Sequence, residues 1–239
     1  MKKLIIFDKD GTLLDFDAFW IVISKYVFTE LLEKYSITSV TVDKILYDMG
    51  YVNGVVRIDS VLCYGTFKMM SDSAVSTLKN NGIALEDDNA FYQDMVCGYQ
   101  NHFDKGVVKP TCENLVGVLE KLIENGAILS LVTTDNPVVT KKCLQCLGVS
   151  HLFKKIFCDD GVTPVKPNPY SIDLLCETYG VDKSNVYMVG DTVNDVKYAN
   201  NGKINFIGYA KDNVNKEILL KYTDQVVDNL NQLLTVIKW

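Results

Sequence analysis

Two aspartates separated by one residue follow a short apolar run near the start of the chain. The run is Leu4 to Phe7, and Asp8-Lys9-Asp10-Gly11-Thr12 comes directly after it. A carboxylate that attacks phosphorus forms an aspartyl-phosphate and divides the hydrolysis of a phosphate ester into two easier displacements. A second carboxylate two residues on can protonate the leaving oxygen and then activate a water molecule. Asp8 is therefore a candidate nucleophile, and Asp10 is a candidate general acid/base.

Three further polar segments follow later apolar runs, each where a strand is expected to end. In chain order they are Thr133-Thr134-Asp135, a loop that reaches Lys166, and Gly190-Asp191-Thr192-Val193-Asn194-Asp195. The carboxyl ends of the strands in an open parallel sheet lie at one edge, where ligands bind. We therefore expect carboxylates, a hydroxyl group and one lysine to meet at this edge of the sheet.

The carboxylates of this set predict a metal site. Asp8, Asp191 and Asp195 supply hard oxygen ligands of the kind that Mg²⁺ prefers. Carboxylates that repel one another are costly to bring together unless a cation lies between them. We therefore expect Mg²⁺ to be the cofactor.

The remaining polar groups are suited to a phosphate. The hydroxyl of Thr133 and the backbone N–H of Thr134 are expected to donate to phosphate oxygens. Lys166 is expected to offset the negative charge as a point cation. Phosphoryl transfer depends mainly on positioning and charge stabilisation, so these groups and the aspartates suffice for the chemistry.

The elements that must position these residues are a parallel sheet and its helices. From Thr111 onward, short apolar strands alternate with segments of helical periodicity, and Thr111 itself is expected to cap the first helix. This alternation predicts an α/β fold, a Rossmann-like parallel sheet with helices on both faces. The expected strands are Leu4 to Phe7, Ala127 to Val132, Lys155 to Cys158, Val186 to Val189, Ile204 to Ile207 and Val226-Val227.

The stretch between the first strand and the rest of the sheet has a different pattern. Residues 15–108 contain several segments of helical spacing, and the pattern predicts no strand between Asp15 and Val108. We expect this stretch to form an inserted α-helical cap domain. The discontinuous α/β core would then consist of residues 1–14 and 109–239.

Composition narrows the class of protein. The chain has 239 residues, 48% of them hydrophobic, a formal charge of −6 and a pI near 5.0. This charge disfavours a general nucleic-acid binder, and no apolar run approaches the roughly 20 residues needed to span a bilayer. Seven cysteines without a secretory segment fit reduced thiols, so we expect a cytoplasmic protein.

Four motifs occur in this order along the chain, at Asp8, Thr133, Lys166 and Asp191. Together they resemble those of haloacid dehalogenase superfamily phosphatases that carry a helical cap after the first motif. The resemblance implies that Asp8 is the nucleophile and that Asp10 is the acid/base, whose backbone carbonyl also binds Mg²⁺. It further implies that Thr133 binds phosphate, that Lys166 stabilises the nucleophile and the phosphoryl group, and that Asp191 ligates the metal.

The resemblance implies that Asp195 contacts the residues that bind the metal, or holds a water molecule bound to the metal. Many relatives have an apolar residue where this chain has Lys9, and that position usually contributes backbone to the site. We interpret Lys9 as a difference in specificity or packing.

The cap offers candidate substrate contacts. The segment Gly50 to Ser60 interrupts its helices, and in capped relatives such a loop faces the active site. Arg57 in this segment and Lys68 on the next helix are candidates for contacting an anionic part of the substrate, and a solvated surface loop is an equally good interpretation. Cys143 and Cys146 have the spacing of a redox or metal pair, but two buried or half-buried helix cysteines are favoured.

The favoured function is Mg²⁺-dependent hydrolysis of a small phosphate monoester, similar to that of phosphoglycolate phosphatases. The expected partner is a small phosphorylated metabolite, with no nucleic acid or membrane, and the protein is expected to be a monomer or homodimer. A phosphosugar mutase of the β-phosphoglucomutase kind and a catalytically silent phosphate-sensing protein remain as alternatives. A dehalogenase is disfavoured because halide displacement does not use Asp10, and a phosphonatase because no Schiff-base lysine is assignable in the cap.

Overall fold

The chain is divided into two compact units in a computed structural model, which describes residues 2–239. The first unit consists of two segments of the chain, one that ends at Asp15 and one that extends from Val108 to Trp239. The second unit is Phe16–Val107. Each unit has its own buried apolar residues. Within residues 2–239, no helix is both long and apolar enough to cross a membrane.

The first unit begins with a short strand, β1 (Lys3–Phe7), in which every residue is buried. Leu4 and Ile6 belong to an apolar cluster on one face of the sheet. Ile5 and Phe7 point to the opposite face, because successive side chains of a strand alternate, and both are fully buried there. Burial on both faces explains why Leu4 to Phe7 is an uninterrupted apolar run.

The second unit is mostly helical. After a π-helix at Asp17–Ile21, its α-helices are α1 (Val22–Lys34), α2 (Val42–Asp48), α3 (Val61–Tyr64), α4 (Phe67–Asn80) and α5 (Asp88–Asn101), and a 3-10 turn follows at Phe103–Lys105. Helix α5 packs against both α1 and α4, and α2 packs against α4.

The helical unit also contains a small hairpin. Strands β2 (Tyr51–Val52) and β3 (Val55–Val56) pair antiparallel, so the expectation of no strand between Asp15 and Val108 is wrong. The turn residues Asn53 and Gly54 have φ angles of 53° and 81°, as a two-residue hairpin turn requires.

The rest of the first unit alternates strands and helices. The strands are β4 (Ala127–Val132), β5 (Lys155–Phe157), β6 (Val186–Gly190), β7 (Asn205–Tyr209) and β8 (Val226–Val227). The helices are α6 (Leu115–Glu124), α7 (Pro137–Cys146), α8 (Tyr170–Tyr179), α9 (Val193–Gly202), α10 (Asn213–Leu219) and α11 (Leu233–Val236). Short 3-10 turns lie at Ser150–Leu152, Lys183–Asn185 and Leu230–Gln232.

Six of the strands form one parallel sheet in the order β5-β4-β1-β6-β7-β8. The first strand of the chain is therefore central, with β4 and β6 as its neighbours. Phe7, the last residue of β1, is level with Leu131 of β4 and with Val189 of β6. The predicted α/β fold with a Rossmann-like parallel sheet is confirmed.

Thr111 does not cap a helix, which corrects the sequence-based prediction. Helix α6 begins at Leu115, with Asn114 preceding it. The buried Thr111 hydroxyl instead donates to the backbone carbonyl of Thr12 over 2.6 Å, and the Thr111 N–H donates to the carbonyl of Leu13. A threonine oxygen suits a cap and a tertiary hydrogen bond equally well, and here the tertiary bond prevails.

Candidate active site

The candidate site lies at the carboxyl ends of three adjacent strands. Asp8 follows β1, Thr133 follows β4, and Asp191 follows β6. The backbone N–H of Asp8 donates to the carbonyl of Val189 over 2.9 Å, which continues the sheet pairing by one residue. The register of the sheet therefore brings these three predicted residues to one edge.

Lys166 joins two of the aspartates. Its Nζ donates to Oδ1 of Asp8 over 2.5 Å and to Oδ1 of Asp195 over 2.6 Å, and all three side chains are buried. Burial alone would lower the pKa of Lys166, but the charges of Asp195 and Asp8 outweigh it and raise that pKa. Lys166 is therefore a permanently charged partner of both carboxylates.

The carboxylate of Asp195 is held by the start of helix α9. Its Oδ2 accepts hydrogen bonds from the backbone N–H of Thr192 (3.1 Å) and from the Thr192 hydroxyl (2.6 Å). The Asp195 N–H donates back to the Thr192 hydroxyl, which completes a capping box. Gly190 leaves room for this arrangement, because a Cβ there would lie 2.5 Å from Cγ of Asp195.

The carboxylate of Asp191 is held by the first motif. The buried hydroxyl of Thr12 donates to Oδ1 of Asp191 over 2.7 Å. Gly11 has a φ of +77°, and a Cβ on it would lie 2.0 Å from Oδ2 of Asp191. Only glycine combines this backbone conformation with so close an approach.

Three buried carboxylates thus form a group of candidate metal ligands. One oxygen each from Asp8, Asp191 and Asp195 lies within 4.8 Å of the other two. Among residues 2–239 no other set of three histidine, cysteine or acidic side chains is grouped in this way. When ionised, these three carboxylates and the ammonium of Lys166 together have a net charge of −2. One divalent cation bound by hard oxygen donors balances that charge.

The electrostatics of the carboxylates agree with such a cation. Burial raises the pKa of Asp8 to about 7; Lys166 opposes this rise, whereas Asp195 and Asp10 add to it. Burial, followed by the charge of Asp8, raises the pKa of Asp191 well above its usual range. Without a cation these two aspartates tend to hold protons, so a divalent ion fits the site by replacing them.

Asp10 lies beside this group, and its side chain contacts Lys9. Nζ of Lys9 is 2.9 Å from each carboxylate oxygen of Asp10 and 2.8 Å from Oδ2 of Asp135. The side chain of Asp10 is not one of the three grouped carboxylates, so a metal-ligand role for Asp10 through its backbone carbonyl stays a prediction.

The predicted phosphate-binding residues lie between β4 and α7. Thr133 is buried, and its Oγ1 accepts the backbone N–H of Asp135 over 3.2 Å. Thr134 is exposed beside it. Asn136 caps α7 by accepting the N–H of Val139, and Pro137 occupies the first turn.

The candidates in the helical unit have partners of their own. Arg57 is exposed and forms a two-pronged ion pair with Asp59, with distances of 2.8 and 3.0 Å. Lys68 is exposed and forms an ion pair with Asp72. Contact of either residue with a substrate stays a prediction.

The cysteine pair on α7 is split between two environments. Cys143 is buried, whereas Cys146 is exposed, so the expectation of two buried or half-buried residues is wrong for Cys146. Positions three apart on a helix share a face, but α7 ends at Cys146. Within residues 2–239 the cysteines form no disulfide bond.

Sequence reasoning missed Thr12 and Thr192, and it did not foresee that the Lys9 side chain pairs with Asp10 and Asp135. Thr12 and Thr192 each lie next to a predicted functional residue, but a hydroxyl in a turn gives no sign of its partner. Lys9 did carry a signal, because it closely follows an apolar strand, and a lysine that is fully buried almost always has a charged partner.

Comparisons with known proteins identify the family of this chain. A family model for haloacid dehalogenase-like hydrolases matches residues 2–202. Phosphoglycolate phosphatase of Pasteurella multocida is 27% identical over 241 residues, which cover 99% of this chain and 98% of the relative. Pyrophosphatase PpaX of Halalkalibacterium halodurans is 26% identical over 217 residues, which cover 86% of this chain and 83% of the relative.

A solved structure supports the fold. The crystal structure of a predicted phosphoglycolate phosphatase from Haemophilus somnus matches with a TM-score of 0.72 and 22% identity, and it covers 99% of this chain and 98% of that chain. At this identity the likeness is evidence for the fold alone. The residues matched by the family model include all four motifs, from Asp8 to Asp195.

Proposed function

Because the chain belongs to the haloacid dehalogenase-like hydrolase family, we propose that it is a Mg²⁺-dependent phosphatase that hydrolyses a small phosphate monoester through an aspartyl-phosphate on Asp8. The observation that carries this proposal is the buried cluster of Asp8, Asp191 and Asp195 around Lys166. Such a cluster holds a nucleophilic carboxylate next to a fixed positive charge, as attack on a phosphate requires.

In the first half-reaction a carboxylate oxygen of Asp8 attacks phosphorus, and the bond from phosphorus to the leaving oxygen breaks. Asp10 donates its proton to that oxygen, so an alcohol leaves. In the second half-reaction Asp10 takes a proton from water, and the water oxygen attacks phosphorus. The bond from phosphorus to Asp8 then breaks, which releases phosphate and restores the Asp8 carboxylate.

The other groups bind and orient the phosphate. The Thr133 hydroxyl accepts a hydrogen bond from the Asp135 N–H, and in the proposal its own hydrogen is donated to a phosphate oxygen. The backbone N–H of Thr134 is proposed as a second donor. Lys166, through its bond to Oδ1 of Asp8, fixes the rotamer of the nucleophile and offsets the charge of the phosphoryl group.

Mg²⁺ would be held by Asp8 and Asp191, by the backbone carbonyl of Asp10, and by Asp195 directly or through water. When bound, it supplies positive charge that neutralises the phosphate and the carboxylates. The buried oxygen donors of the site support this choice, since Mg²⁺ binds through one or two carboxylates together with water and substrate phosphate.

The substrate class is inferred from the relatives. The names phosphoglycolate phosphatase and pyrophosphatase both describe small, strongly anionic phosphates. We propose a small phosphorylated metabolite of this kind, with Phe16–Val107 as a cap whose Arg57 and Lys68 contact its anionic part. A cytoplasmic location and a monomeric or homodimeric state complete the proposal.

A screen of small phosphate esters with Mg²⁺, read as phosphate release, tests the proposal. Asp8→Asn should abolish release while the protein stays folded. Asp224→Asn, an exposed aspartate in the same unit, is the matched control and should retain full activity. Phosphate release by Asp8→Asn at a rate near that of the unaltered protein would contradict the assignment of the nucleophile.

A further inference from the structure

Lys9 lies between the proposed nucleophile and the proposed acid/base, yet its side chain is completely buried. Its ammonium contacts both carboxylate oxygens of Asp10, at 2.9 Å each, and Oδ2 of Asp135 at 2.8 Å. We infer that Lys9 is a positioning residue that fixes the Asp10 carboxylate for proton transfer and ties it to the loop that carries Thr133. This inference rests on the proposed function.

This position needs the charge of the Lys9 ammonium as well as the volume of its side chain. An apolar side chain would fill a buried position without the cost of removing an ammonium group from water, so a buried lysine persists only where its charges are paired. Here the pairing involves two aspartates that are themselves only 18% and 15% exposed. Without Lys9 the neighbouring carboxylates of Asp10 and Asp135 would repel each other.

The contacts of Lys9 extend from the acid/base to the phosphate-binding loop. Asp10 lies after β1, and Asp135 lies after the adjacent strand β4. The backbone N–H of Asp135 donates to Oγ1 of Thr133, so a continuous path of contacts joins Asp10, Lys9, Asp135 and Thr133. Because Lys9 is shared with Asp135, its charge remains balanced when Asp10 takes up a proton.

This arrangement has a specific kinetic consequence. A general acid is needed most when the leaving group is a poor one, because an alkoxide cannot depart without a proton whereas an acidic phenolate can. Misplacing Asp10 should therefore slow the cleavage of an alkyl phosphate far more than the cleavage of p-nitrophenyl phosphate. Simple loss of folded protein would slow both reactions equally.

The test measures kcat/KM for an alkyl phosphate and for p-nitrophenyl phosphate with Lys9→Met, which removes the charge and keeps most of the length. We expect a loss of roughly 10- to 100-fold for the alkyl phosphate, as a part of the 10²–10⁴-fold that general acid catalysis typically supplies. For the aryl phosphate we expect less than about a 3-fold loss, and Lys9→Arg should restore much of the difference because it restores the charge.

Two further variants make the test specific. In an Asp10→Ala background, Lys9→Met should not change the alkyl-to-aryl ratio any further, because the residue that Lys9 positions is gone. Lys3→Met is the matched control, since Lys3 lies at the other end of β1 and its Nζ donates to Asn185. It should leave the ratio unchanged.

If Lys9→Met does not fold, the test is Asp135→Asn. This variant keeps the Lys9–Asp10 pair and weakens only the contact of Lys9 with residue 135. We expect it to shift the ratio in the same direction and to a smaller extent. An equal loss on both substrates, or an unchanged ratio in every variant, would overturn the inference. Failure of the proposed function looks different, since the unaltered protein would then release no phosphate from either substrate.

Discussion

Four charged side chains of the candidate site are arranged so that each carboxylate has a defined partner. Lys166 bonds to Asp8 and Asp195, and the Thr12 hydroxyl bonds to Asp191. The hydrogen bonds to Asp8 and Asp191 are both to Oδ1, which leaves Oδ2 of each for a cation and for the attack on phosphorus. Preorganisation of this kind avoids reorganising the site during reaction, which is the main source of electrostatic catalysis.

Gly11 is the residue for which a single methyl group should be most damaging. Gly11→Ala would place a Cβ 2.0 Å from Oδ2 of Asp191 at a φ of +77°, so Asp191 must move away from Thr12. We expect activity to fall by at least roughly 100-fold, as for the loss of one electrostatic contact, together with a lower Tm. Phosphate release and thermal unfolding check this expectation.

Gly126→Ala provides the control for backbone strain. Gly126 has a φ of +90°, and a Cβ added to it would lie within 4 Å of no atom beyond Gly126 and its two chain neighbours. This variant should lose stability by about 1–2 kcal/mol from the left-handed conformation alone and keep its activity. If Gly11→Ala behaved no worse than Gly126→Ala, the close approach to Asp191 would have no functional importance.

At the scale of elements, helix α9 begins just after β6, and its first turn holds Asp195. Thr192→Val removes the hydroxyl that accepts the Asp195 N–H and donates to its carboxylate. The loss of an N-cap should cost about 1 kcal/mol of the free energy of unfolding. In addition, kcat should fall, because Asp195 then holds Lys166 less well. Denaturant unfolding and phosphate release measure the two effects.

A second threonine cap separates the two effects. Thr41 caps α2 in the other unit by accepting the N–H of Lys44. Thr41→Val should lose a similar free energy of unfolding and retain kcat. Equal kcat values for the two variants would mean that the capping box of α9 supports the helix and has no role in the site.

The elements show how far sequence reasoning reaches. Strand β1 was predictable because burial on both faces makes Leu4 to Phe7 an unbroken apolar run. The hairpin of β2 and β3 was missed because two-residue strands show no alternation, although Asn53-Gly54 is a strong turn signal. Thr111 was placed wrongly, since its hydrogen bond to Thr12 spans 99 residues and no local pattern encodes it.

The candidate site, like the secondary structure, was predictable from the sequence only in part. The positions of Asp8, Lys166, Asp191 and Asp195 at one edge followed from strand order and are seen in the fold. The burial of the Lys9 side chain between two aspartates depends on the register of β1 with β4, which only the folded chain supplies.

At the scale of the whole molecule, the buried carboxylates link stability to pH and to the metal. Burial raises the pKa of Asp8 to about 7 and that of Asp191 in the same direction. The metal-free folded state therefore binds more protons than the unfolded state above pH ~4, where unfolded aspartate ionises. These groups contribute stability below that pH, and the contribution is lost as the pH rises to about 7.

Mg²⁺ should reverse this loss. Because the cation replaces protons, the increase in Tm on adding Mg²⁺ should be larger at pH 7.5 than at pH 5.5. Thermal unfolding with and without Mg²⁺ at the two pH values measures this, and Asp191→Asn should reduce the increase at pH 7.5. An increase in Tm that is independent of pH and of Asp191 would place the cation elsewhere.

The most direct test of the account is to find the phosphorylated residue. The protein is mixed with a substrate and Mg²⁺, quenched during turnover and treated with borohydride, which reduces an aspartyl-phosphate to homoserine. The account predicts homoserine at position 8, and none in Asp8→Asn. Homoserine at another aspartate, or none during steady phosphate release, would contradict the proposal that Asp8 is the nucleophile.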